Sequence, residues 1–364
     1  MEIAVLGGGN GGYAAAADLS EAGHRVRLWR RDTQALQPVQ ASGGIVLHDH
    51  AGTREVPIML ATTDIGAALR GAQLVVIPAP ATAQADLAAA MAAHLEDEQV
   101  VFLPPGTFGS FVMARAVRAA RAAGSRTRPA AVAWAETGTL PYLARKHGPR
   151  EVHITIRAVR LPTGVYPARE AERVLAIIGE AYPAVHACGD ALSGALMNAG
   201  PIIHPPLVVM NAAPLQHFER WDIHAEGTQP AVRAVTDRLD AERIAVREAL
   251  GYGAPHYPLA DHYTSDRWMY GDAHKRLVES GDWREAIDLQ AHRYVTEDCA
   301  LGLAFLASAA RLAGVEAPIA HGLLAIVGGF LGRDLRRGPR TLEALGLAEL
   351  GVTALRRLLH EGQA

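Results

Sequence analysis

The feature that most constrains this chain is a glycine-rich run close to its start. The run GGGNGG at residues 7–12 directly follows the apolar stretch at residues 3–6 and opens an alanine-rich helical pattern. It satisfies the spacing GxGxxG, and a strand before it and a helix after it are the context that gives this spacing meaning. Gly7 allows a tight turn, Gly9 allows a pyrophosphate to approach the backbone, and Gly12 allows close packing of helix on strand. The run therefore predicts a dinucleotide site at a helix start.

The residues after the second predicted strand indicate which dinucleotide is bound. Residues 26–29 form that strand, and Arg30, Arg31 and Asp32 follow it. An acidic residue at its end would bond the ribose of NAD, whereas two guanidinium groups suit the 2′-phosphate of NADP. Because Arg30 occupies the acidic position, NADP(H) is favoured; NAD(H) is the alternative if the arginines are solvated and Asp32 serves the ribose. The predicted cofactor contacts are Gly7, Gly9, Asn10, Gly11, Gly12, Arg30, Arg31 and, in a loop after a later strand, Pro78.

The first half of the chain alternates short apolar runs with helical patterns. The runs lie at residues 3–6, 26–29, 74–77, 100–103 and 131–134, with helical patterns at 12–22, 83–94 and 111–123 between them. This alternation predicts a parallel, doubly wound sheet, and residues 43–49 and 54–60 resemble a hairpin inserted in it. From about residue 189 helical patterns dominate. We therefore expect an α/β fold, with a Rossmann-type domain over residues 1–186 and an all-α domain over 187–364.

Composition and charge argue against several classes of protein. A formal net charge of -3 indicates neither a nucleic-acid partner nor a membrane surface. The longest apolar stretches are broken by His, Pro and Gly and are too short to span a bilayer. Two cysteines cannot build a disulfide framework, and the start lacks the pattern of a signal peptide, so we expect a cytoplasmic protein. The sequence does not decide whether the chain forms a homodimer, since apolar helices can form an interface as well as a core.

Two histidines in the predicted hairpin raise the question of a metal site. His48 and His50 flank Asp49, but no further ligand is close in sequence. Two histidines and one aspartate do not complete a site, so a surface hairpin is the preferred interpretation and no metal is expected.

The segment at residues 198–206 is the most informative part of the second half. Gly200 and Pro201 are expected to end one helix, and the prolines at 205–206 to begin the next. His204, which precedes a proline, would then be extended and rigidly placed at the junction. Positive helix ends would keep this imidazole neutral, whereas a carboxylate partner would act in the opposite direction. Such a histidine suits general acid–base catalysis, although a buried histidine that caps a helix fits as well.

A second polar segment, at residues 293–298, begins a long apolar helical pattern. Thr296 is a candidate N-cap, and the carboxylates of Glu297 and Asp298 in the first turn would interact favourably with the helix dipole. In the alternative interpretation one of these carboxylates orients a catalytic histidine, and Arg293 grips a substrate carboxylate.

Taken in order, these segments resemble the octopine/nopaline dehydrogenase (opine dehydrogenase) family over nearly the whole chain. The matching segments are residues 5–12, 136–137 with 140–142, 198–206, 292–294 with 296–298, and 340–342 with 345–347. The His-Pro and Arg-Tyr…Glu-Asp segments are far more distinctive than the glycine run. The tail departs slightly, because Gly338-Pro339-Arg340 stands where a Gly-Arg pair is commoner, so no residue is assigned from it.

The resemblance implies a Rossmann domain joined to an α-helical domain and an NAD(P)H-dependent reductive condensation. An amino acid and a 2-oxo acid form an imine, which is reduced to a secondary amine; the reverse oxidation is also implied. The resemblance makes His204 the catalytic acid/base, Asp298 its partner, and Arg293 a neighbour of the substrate carboxylates. By the same matches the expected site residues also include Asn198 and Tyr142 for the substrate and Glu136 for the cofactor.

Other dehydrogenases with this two-domain plan are the main alternative. Ketopantoate reductase, 3-hydroxyacid dehydrogenase and glycerol-3-phosphate dehydrogenase resemble the chain in the glycine loop and helical second domain. Their helical domains typically carry a catalytic lysine, but the lysines here are Lys146, before the helical domain, and Lys275, in a polar stretch. A third alternative is a sensor that binds NADP(H) without turnover, which has no reason to keep His204 and Asp298.

Overall fold

The computed structural model describes residues 1–124 and 130–362, which divide into two compact units. The N-terminal unit comprises Met1–Ala195 and the chain from His360 onward, and the helical unit comprises Leu196–Leu359. The boundary expected between residues 186 and 187 falls inside a strand, Val185–Asp190. This strand contains Val185 as its one branched aliphatic residue, so its sequence shows no run of large apolar residues that would predict a strand.

The N-terminal unit alternates strands and helices, as predicted. Its strands are β1 (Glu2–Leu6), β2 (Arg25–Trp29), β3 (Gly44–Asp49), β4 (Gly52–Pro57), β5 (Leu60–Thr62), β6 (Leu74–Val76), β7 (Val100–Leu103), β8 (Ala133–Thr137), β9 (Tyr142–Gly148), β10 (Glu151–Arg157), β11 (Leu161–Tyr166) and β12 (Val185–Asp190). Its helices are α1 (Asn10–Glu21), α2 (Thr33–Ser42), α3 (Ile65–Leu69), α4 (Gln84–Met91), α5 (Gly109–Gly124), α6 (Ala171–Ala181) and α7 (Ala191–Ala195).

Eight of these strands form one sheet in the order β12-β11-β8-β7-β6-β1-β2-β5. In this spatial order, every neighbouring pair among β8, β7, β6, β1, β2 and β5 is parallel. This pairing confirms the predicted doubly wound sheet. Only β11 interrupts the parallel pairing, since it runs antiparallel to β8. Ile3, Val5 and Leu6 of β1 are fully buried, as expected for a parallel strand with both faces covered.

The predicted hairpin is present but belongs to a separate sheet. β3 and β4 pair antiparallel, β3 pairs in parallel with β10, and β10 pairs antiparallel with β9, so the order is β4-β3-β10-β9. On β10 the alternating residues Val152, Ile154 and Ile156 are buried, whereas Glu151 and His153, which alternate with them, are partly exposed. This sheet therefore has one apolar face and one polar face.

The second unit is helical, apart from a short two-stranded ribbon. Its elements are α8 (Gly200–Met210), α9 (Ala212–His217), β13 (Trp221–Asp222), α10 (Pro230–Ala249), α11 (Ala260–Thr264), α12 (His274–Glu279), β14 (Arg284–Glu285), a π-helix (Tyr294–Leu303), α13 (Ala304–Ala313), α14 (Pro318–Leu331) and α15 (Gly351–Glu361), whose last two residues belong to the N-terminal unit. Over the part of the chain that the structure describes, none of the helices is both long and apolar enough to cross a bilayer.

Candidate functional site

The glycine loop between β1 and α1 has the shape of a phosphate cradle. Gly7 has a φ of +138°, a conformation that side chains with a Cβ rarely adopt. A Cβ on Gly12 would overlap the carbonyl oxygen of Gly7, so α1 packs directly on the loop. A Cβ built on Gly9 meets nothing within 4 Å, and Gly9 is the N-cap of α1. The loop thus combines open space with the amide end of a helix, which fits a dinucleotide pyrophosphate.

Arg30, the first of the two predicted phosphate-binding arginines, lies against this loop. Its methylene groups occupy the space that a Cβ on Gly8 would need, and its Nη1 lies 3.4 Å from Tyr13 Oη. Arg31 is instead an exposed residue, with Nη1 3.5 Å from a carboxylate oxygen of Asp86. The carboxylate of Asp32 accepts a hydrogen bond from the amide of the third residue of α2 and caps that helix. The preference for NADP(H) over NAD(H) stays a prediction.

Lys146 is a cation at the loop that sequence reasoning did not connect with it. Its amide donates to Asn10 Oδ1 at 3.0 Å, and its Nζ lies 3.5 Å from the carbonyl oxygen of Gly8. Nζ also lies 3.5 Å from the centre of the Tyr13 ring. Burial, together with the charge of Arg30, lowers the pKa of Lys146 to about 8. The scarcity of lysine in the chain was the one available signal, and it did not indicate a location.

The remaining predicted contacts in this unit have different surroundings. Pro78 lies beside the loop, since its Cβ would be 3.1 Å from a Cβ on Gly11. Glu136 is fully buried and accepts hydrogen bonds from the amides of Phe108 and Ser110, at the start of α5. Tyr142 is part of the hydrophobic core of the unit. The structure therefore gives Glu136 and Tyr142 structural roles, and their contacts with cofactor or substrate stay predictions.

In the helical unit, His204 lies inside α8 and not between two helices. The prediction that Gly200 and Pro201 end a helix is wrong, because α8 begins there and Pro201 stands in its first turn, where a proline needs no amide. The helix continues through Pro205 and Pro206, so His204 is helical and not extended. Both prolines are buried, and this burial offsets part of the backbone hydrogen bonding that they remove.

The predicted N-cap at Thr296 is also wrong. The chain is already helical at Arg293, and a ten-residue π-helix, Tyr294–Leu303, leads without a break into α13. The Thr296 hydroxyl donates to the carbonyl oxygen of His292 at 3.3 Å, as an interior helical threonine does. Asp298 therefore lies inside the helix, and its carboxylate does not cap the end. π-Helical segments are rare and are frequently found at functional sites.

The two residues that the family resemblance paired are in direct contact. His204 Nδ1 lies 2.7 Å from Asp298 Oδ2, and the side chains are only 12% and 7% exposed. A Cβ on Gly200 would overlap Asp298 Oδ1, so a glycine is required for this approach of α8 to the π-helix. Gly302, on the π-helix, also permits this close approach, because a Cβ there would overlap the ring of Pro201 on α8.

Aromatic groups enclose this pair. The ring of Tyr294 stacks on that of His204, with centroids 3.7 Å apart and planes 15° apart. His224 Nε2 lies 3.2 Å from Tyr294 Oη. The sequence motif that contains Tyr294 did not predict a role for it, although its four-residue spacing from Asp298 was a usable signal. His224 had no such signal.

Two further predicted residues lie beside the pair. Asn198 Oδ1 accepts a hydrogen bond of 3.0 Å from the amide of Gly200, which holds Asn198 at the start of α8. Arg293 lies with its guanidinium carbon 5.5 Å from the centre of the Tyr294 ring, and its side chain is 41% exposed. Arg293 is therefore a cation that solvent reaches, next to a buried acid–base pair. The substrate contacts of both residues stay predictions.

The buried carboxylate sets the electrostatics of this cluster. Burial raises the pKa of Asp298, and the nearby Arg293 and His292 act against that rise. When His204 donates Nδ1–H to Asp298, its Nε2 carries the lone pair and can accept a proton. The charged carboxylate then stabilises the imidazolium, so the pair can accept and release a proton near neutral pH.

Comparison with known families identifies the helical part of the chain. Residues 187–331, which include α8 and the π-helix, match the model described as NAD/NADP octopine/nopaline dehydrogenase, alpha-helical domain. Residues 187–331 are therefore similar to the helical domain of the octopine/nopaline dehydrogenase family. Residues 2–106 match the model described as NAD-dependent glycerol-3-phosphate dehydrogenase N-terminus, which covers the glycine loop.

Individual proteins resemble the chain over most of its length. An opine dehydrogenase of Arthrobacter sp. (strain 1C) is 29% identical over 362 residues, which is 97% of each chain. The structure of an octopine dehydrogenase in complex with NADH and agmatine has a TM-score of 0.68 at 19% identity, and covers 95% of this chain and 97% of that one. A yersinopine dehydrogenase with NADP+ bound has a TM-score of 0.66 at 16% identity, covering 99% and 98%. The predicted fold class and family resemblance are confirmed.

Proposed function

We propose that the protein is an NAD(P)H-dependent opine dehydrogenase, which joins an amino acid to a 2-oxo acid and also catalyses the reverse oxidation. The observation that carries this proposal is the buried contact between His204 and Asp298 in a helical domain of that family. The glycine loop, which fits a dinucleotide, and the similarity to the Arthrobacter opine dehydrogenase support it. Within this proposal, Arg30 favours NADP(H), and the cysteines Cys188 and Cys299, which form no disulfide in the described part of the chain, suit a reducing cytoplasm.

The residues of the chain would transfer protons and stabilise the charges that form, while the cofactor supplies the hydride. The substrate amine adds to the carbonyl carbon of the 2-oxo acid, and the resulting carbinolamine loses water to form an imine. His204 Nε2 protonates the departing hydroxyl group, and Asp298 stabilises the imidazolium before that transfer. When bound, NAD(P)H reduces the imine carbon. In the oxidative direction, His204 takes a proton from the water that attacks the imine.

Neighbouring side chains would position these reactants. The stacked ring of Tyr294 restricts the imidazole of His204 to one plane, which favours a fixed direction of proton transfer. Arg293 offers a partly exposed guanidinium for a substrate carboxylate, in the bidentate geometry that suits both groups.

The surroundings of the two lysines count against a hydroxyacid dehydrogenase. Those families typically place a catalytic lysine in the helical domain. Lys275 is the lysine of the helical unit here, and its side chain is 82% exposed with Nζ 3.7 Å from a carboxylate oxygen of Glu279. Lys146 lies at the glycine loop of the N-terminal unit. The acid–base function therefore falls to His204.

Oxidation of NADPH and of NADH with a panel of amino acids, each combined with pyruvate, glyoxylate, oxaloacetate or 2-oxoglutarate, tests the proposal. Turnover that requires both an amine and an oxo acid is the expected result. Turnover with an oxo acid alone would assign the chain to the hydroxyacid dehydrogenases. Tight cofactor binding with no turnover for any pair would favour the sensor.

Replacing Arg30 with alanine should separate the two cofactors. A charge-assisted hydrogen bond contributes about 1.5–3 kcal/mol, so we expect KM for NADPH to rise roughly 10- to 100-fold and KM for NADH to change little. Steady-state kinetics with both cofactors measure this. Arg31→Ala is the matched control for the exposed arginine, and its smaller effect is expected because Arg31 faces Asp86 at the surface. Equal losses with both cofactors would show that Arg30 does not contact the 2′-phosphate.

The lowered pKa of Lys146 leads to a pH dependence of cofactor binding. Its ammonium is protonated below about pH 8 and attracts the cofactor phosphates, so binding favours the protonated form. Affinity for NAD(P)H should therefore be constant below this pKa and fall as the pH rises through it. Titrations of Kd against pH measure this effect. Lys146→Met should remove the pH dependence and Lys146→Arg should extend the low-pH plateau, whereas an unchanged profile in Lys146→Met would contradict the assignment.

A further inference from the structure

The polar face of the four-stranded sheet carries three metal-ligating side chains that the proposed function does not use. His48 on β3 and His153 on β10 are direct partners in the parallel pairing of these strands. Glu151 lies two residues before His153, and therefore on the same face of β10. One nitrogen from each ring and one carboxylate oxygen all lie within 4.8 Å of one another. The folded sheet thus supplies the ligands that are absent near His48 in the sequence.

Both imidazoles approach the same oxygen. His48 Nε2 lies 2.9 Å and His153 Nε2 lies 3.0 Å from Glu151 Oε1. The His153 contact has hydrogen-bond geometry, whereas His48 Nε2 is a buried atom that makes no hydrogen bond to any described residue. A cation placed between these three atoms would satisfy all of them, which one shared carboxylate oxygen does not.

The second nitrogen of His48 is held in the way that metal-binding histidines require. His48 Nδ1 lies 2.6 Å from the Thr53 hydroxyl, on the adjacent strand β4. When Nδ1–H donates to this hydroxyl, Nε2 presents its lone pair, and such a partner orients the ring for a metal. His147 stacks on His153 with centroids 3.9 Å apart, which restricts the second ring.

The charge and exposure of the cluster also suit an ion. Glu151 brings a carboxylate to the cluster, and a carboxylate offsets part of the charge of a divalent ion. The side chains of His48, Glu151 and His153 are 26%, 37% and 34% exposed, so an ion can enter and water can complete its shell.

We propose that His48, Glu151 and His153 form a binding site for a divalent transition ion of the Zn²⁺ type. Two imidazoles and one carboxylate are ligands that Zn²⁺ takes with water in the fourth position, whereas Ca²⁺ and Mg²⁺ require more oxygen ligands. Tetrahedral zinc holds its ligand atoms roughly 3.3 Å apart, so each of the two nitrogen–oxygen distances needs to lengthen by only a few tenths of an ångström. The ion would tie β3 to β10.

His50 and Asp49 lie outside the proposed site, although they belong to the sequence segment that first suggested a metal site. The carboxylate of Asp49 is held by Arg54 at 2.7 Å and by Arg157 at 2.6 Å. His50 is exposed at the turn between β3 and β4 and provides a matched control. The site shares no residue with the glycine loop or the His204 pair, so its test does not depend on the proposed activity.

Titration of untagged, chelator-treated protein tests the proposal. Calorimetry with Zn²⁺ should show one ion per chain, and Co²⁺ should give the visible absorption bands of tetrahedral nitrogen and oxygen coordination. His48→Ala, His153→Ala and the isosteric Glu151→Gln should each weaken Zn²⁺ binding at least about tenfold, and Thr53→Val by about 10- to 100-fold. His50→Ala should bind Zn²⁺ as the parent protein does, and Mg²⁺ should not bind at the site.

Two results would overturn the proposal. One is stoichiometric Zn²⁺ binding that survives the combined His48→Ala and His153→Ala substitutions in folded protein. The other is an absence of saturable Zn²⁺ binding by the parent protein. Circular dichroism of every variant separates loss of ligands from loss of folding, and Glu151→Gln tests the site with the least change in shape.

Discussion

Replacing His204 with alanine should lower kcat for opine formation by about 10²- to 10⁴-fold, the usual contribution of a positioned acid–base group. The substitution removes the nitrogen that exchanges a proton with the reactants, while Asp298 remains buried behind it. The Kd for NAD(P)H should stay unchanged, because the glycine loop lies in the other unit of the chain. Single-turnover kinetics and fluorescence titration of the cofactor measure the two quantities separately.

The matched control for this change is His217→Ala, which alters an exposed histidine of the same unit. It should retain the activity of the parent protein. Turnover by His204→Ala close to that of the parent would exclude the acid–base role. Joint loss of turnover and of the folded far-UV spectrum would instead indicate that the stacked His204 and Tyr294 rings stabilise the unit.

Replacing Asp298 with asparagine should lower kcat by about 10²- to 10⁴-fold without lowering the melting temperature. The amide keeps the shape of the carboxylate but cannot stabilise an imidazolium, and it can present its NH2 group to Nδ1 and so favour the wrong tautomer. Stability should be kept, because a buried carboxylate has a desolvation cost that the neutral amide avoids. A loss confined to thermal stability would favour a purely structural role for Asp298.

The pH profile of Asp298→Asn supplies a readout that a structural role would not change. In the oxidative direction His204 acts as a base, so activity rises with pH as the imidazolium loses its proton. A neighbouring carboxylate raises the pKa of a histidine, and its removal lowers that pKa. The acidic limb of kcat/KM should therefore move to lower pH in the variant. An unmoved limb would show that another group controls this ionisation.

Local patterns were sufficient to predict the architecture. The glycine run and the alternation of apolar runs with helical patterns predicted the parallel sheet, because these signals depend only on backbone conformation and on the period of buried residues. Their limits are visible at β8, which was expected to end at residue 134 and extends to Thr137. Strand β12 was missed for the same reason, since a strand with neither a run nor an alternation of large apolar residues has no periodic signal.

Proline and capping signals failed where packing was stronger. Pro205 and Pro206 predicted a helix start, yet α8 runs through both of them. Thr296 predicted a cap, yet a π-helix begins before it. In each case the contact between α8 and the π-helix, which is as close as Gly200 and Gly302 permit, decides the backbone. Local propensities amount to about 1–3 kcal/mol and are readily overridden by tertiary burial.

The sequence by itself determined the dinucleotide loop and the parallel sheet, and the family resemblance identified His204 and Asp298. Only the tertiary structure decided that Tyr294 stacks on His204, that Lys146 lies at the glycine loop, and that His153 reaches His48. These contacts join segments that are far apart in the chain. Which distant segments meet depends on strand register and helix packing, and these are set by the burial of the whole core and not by any local pattern.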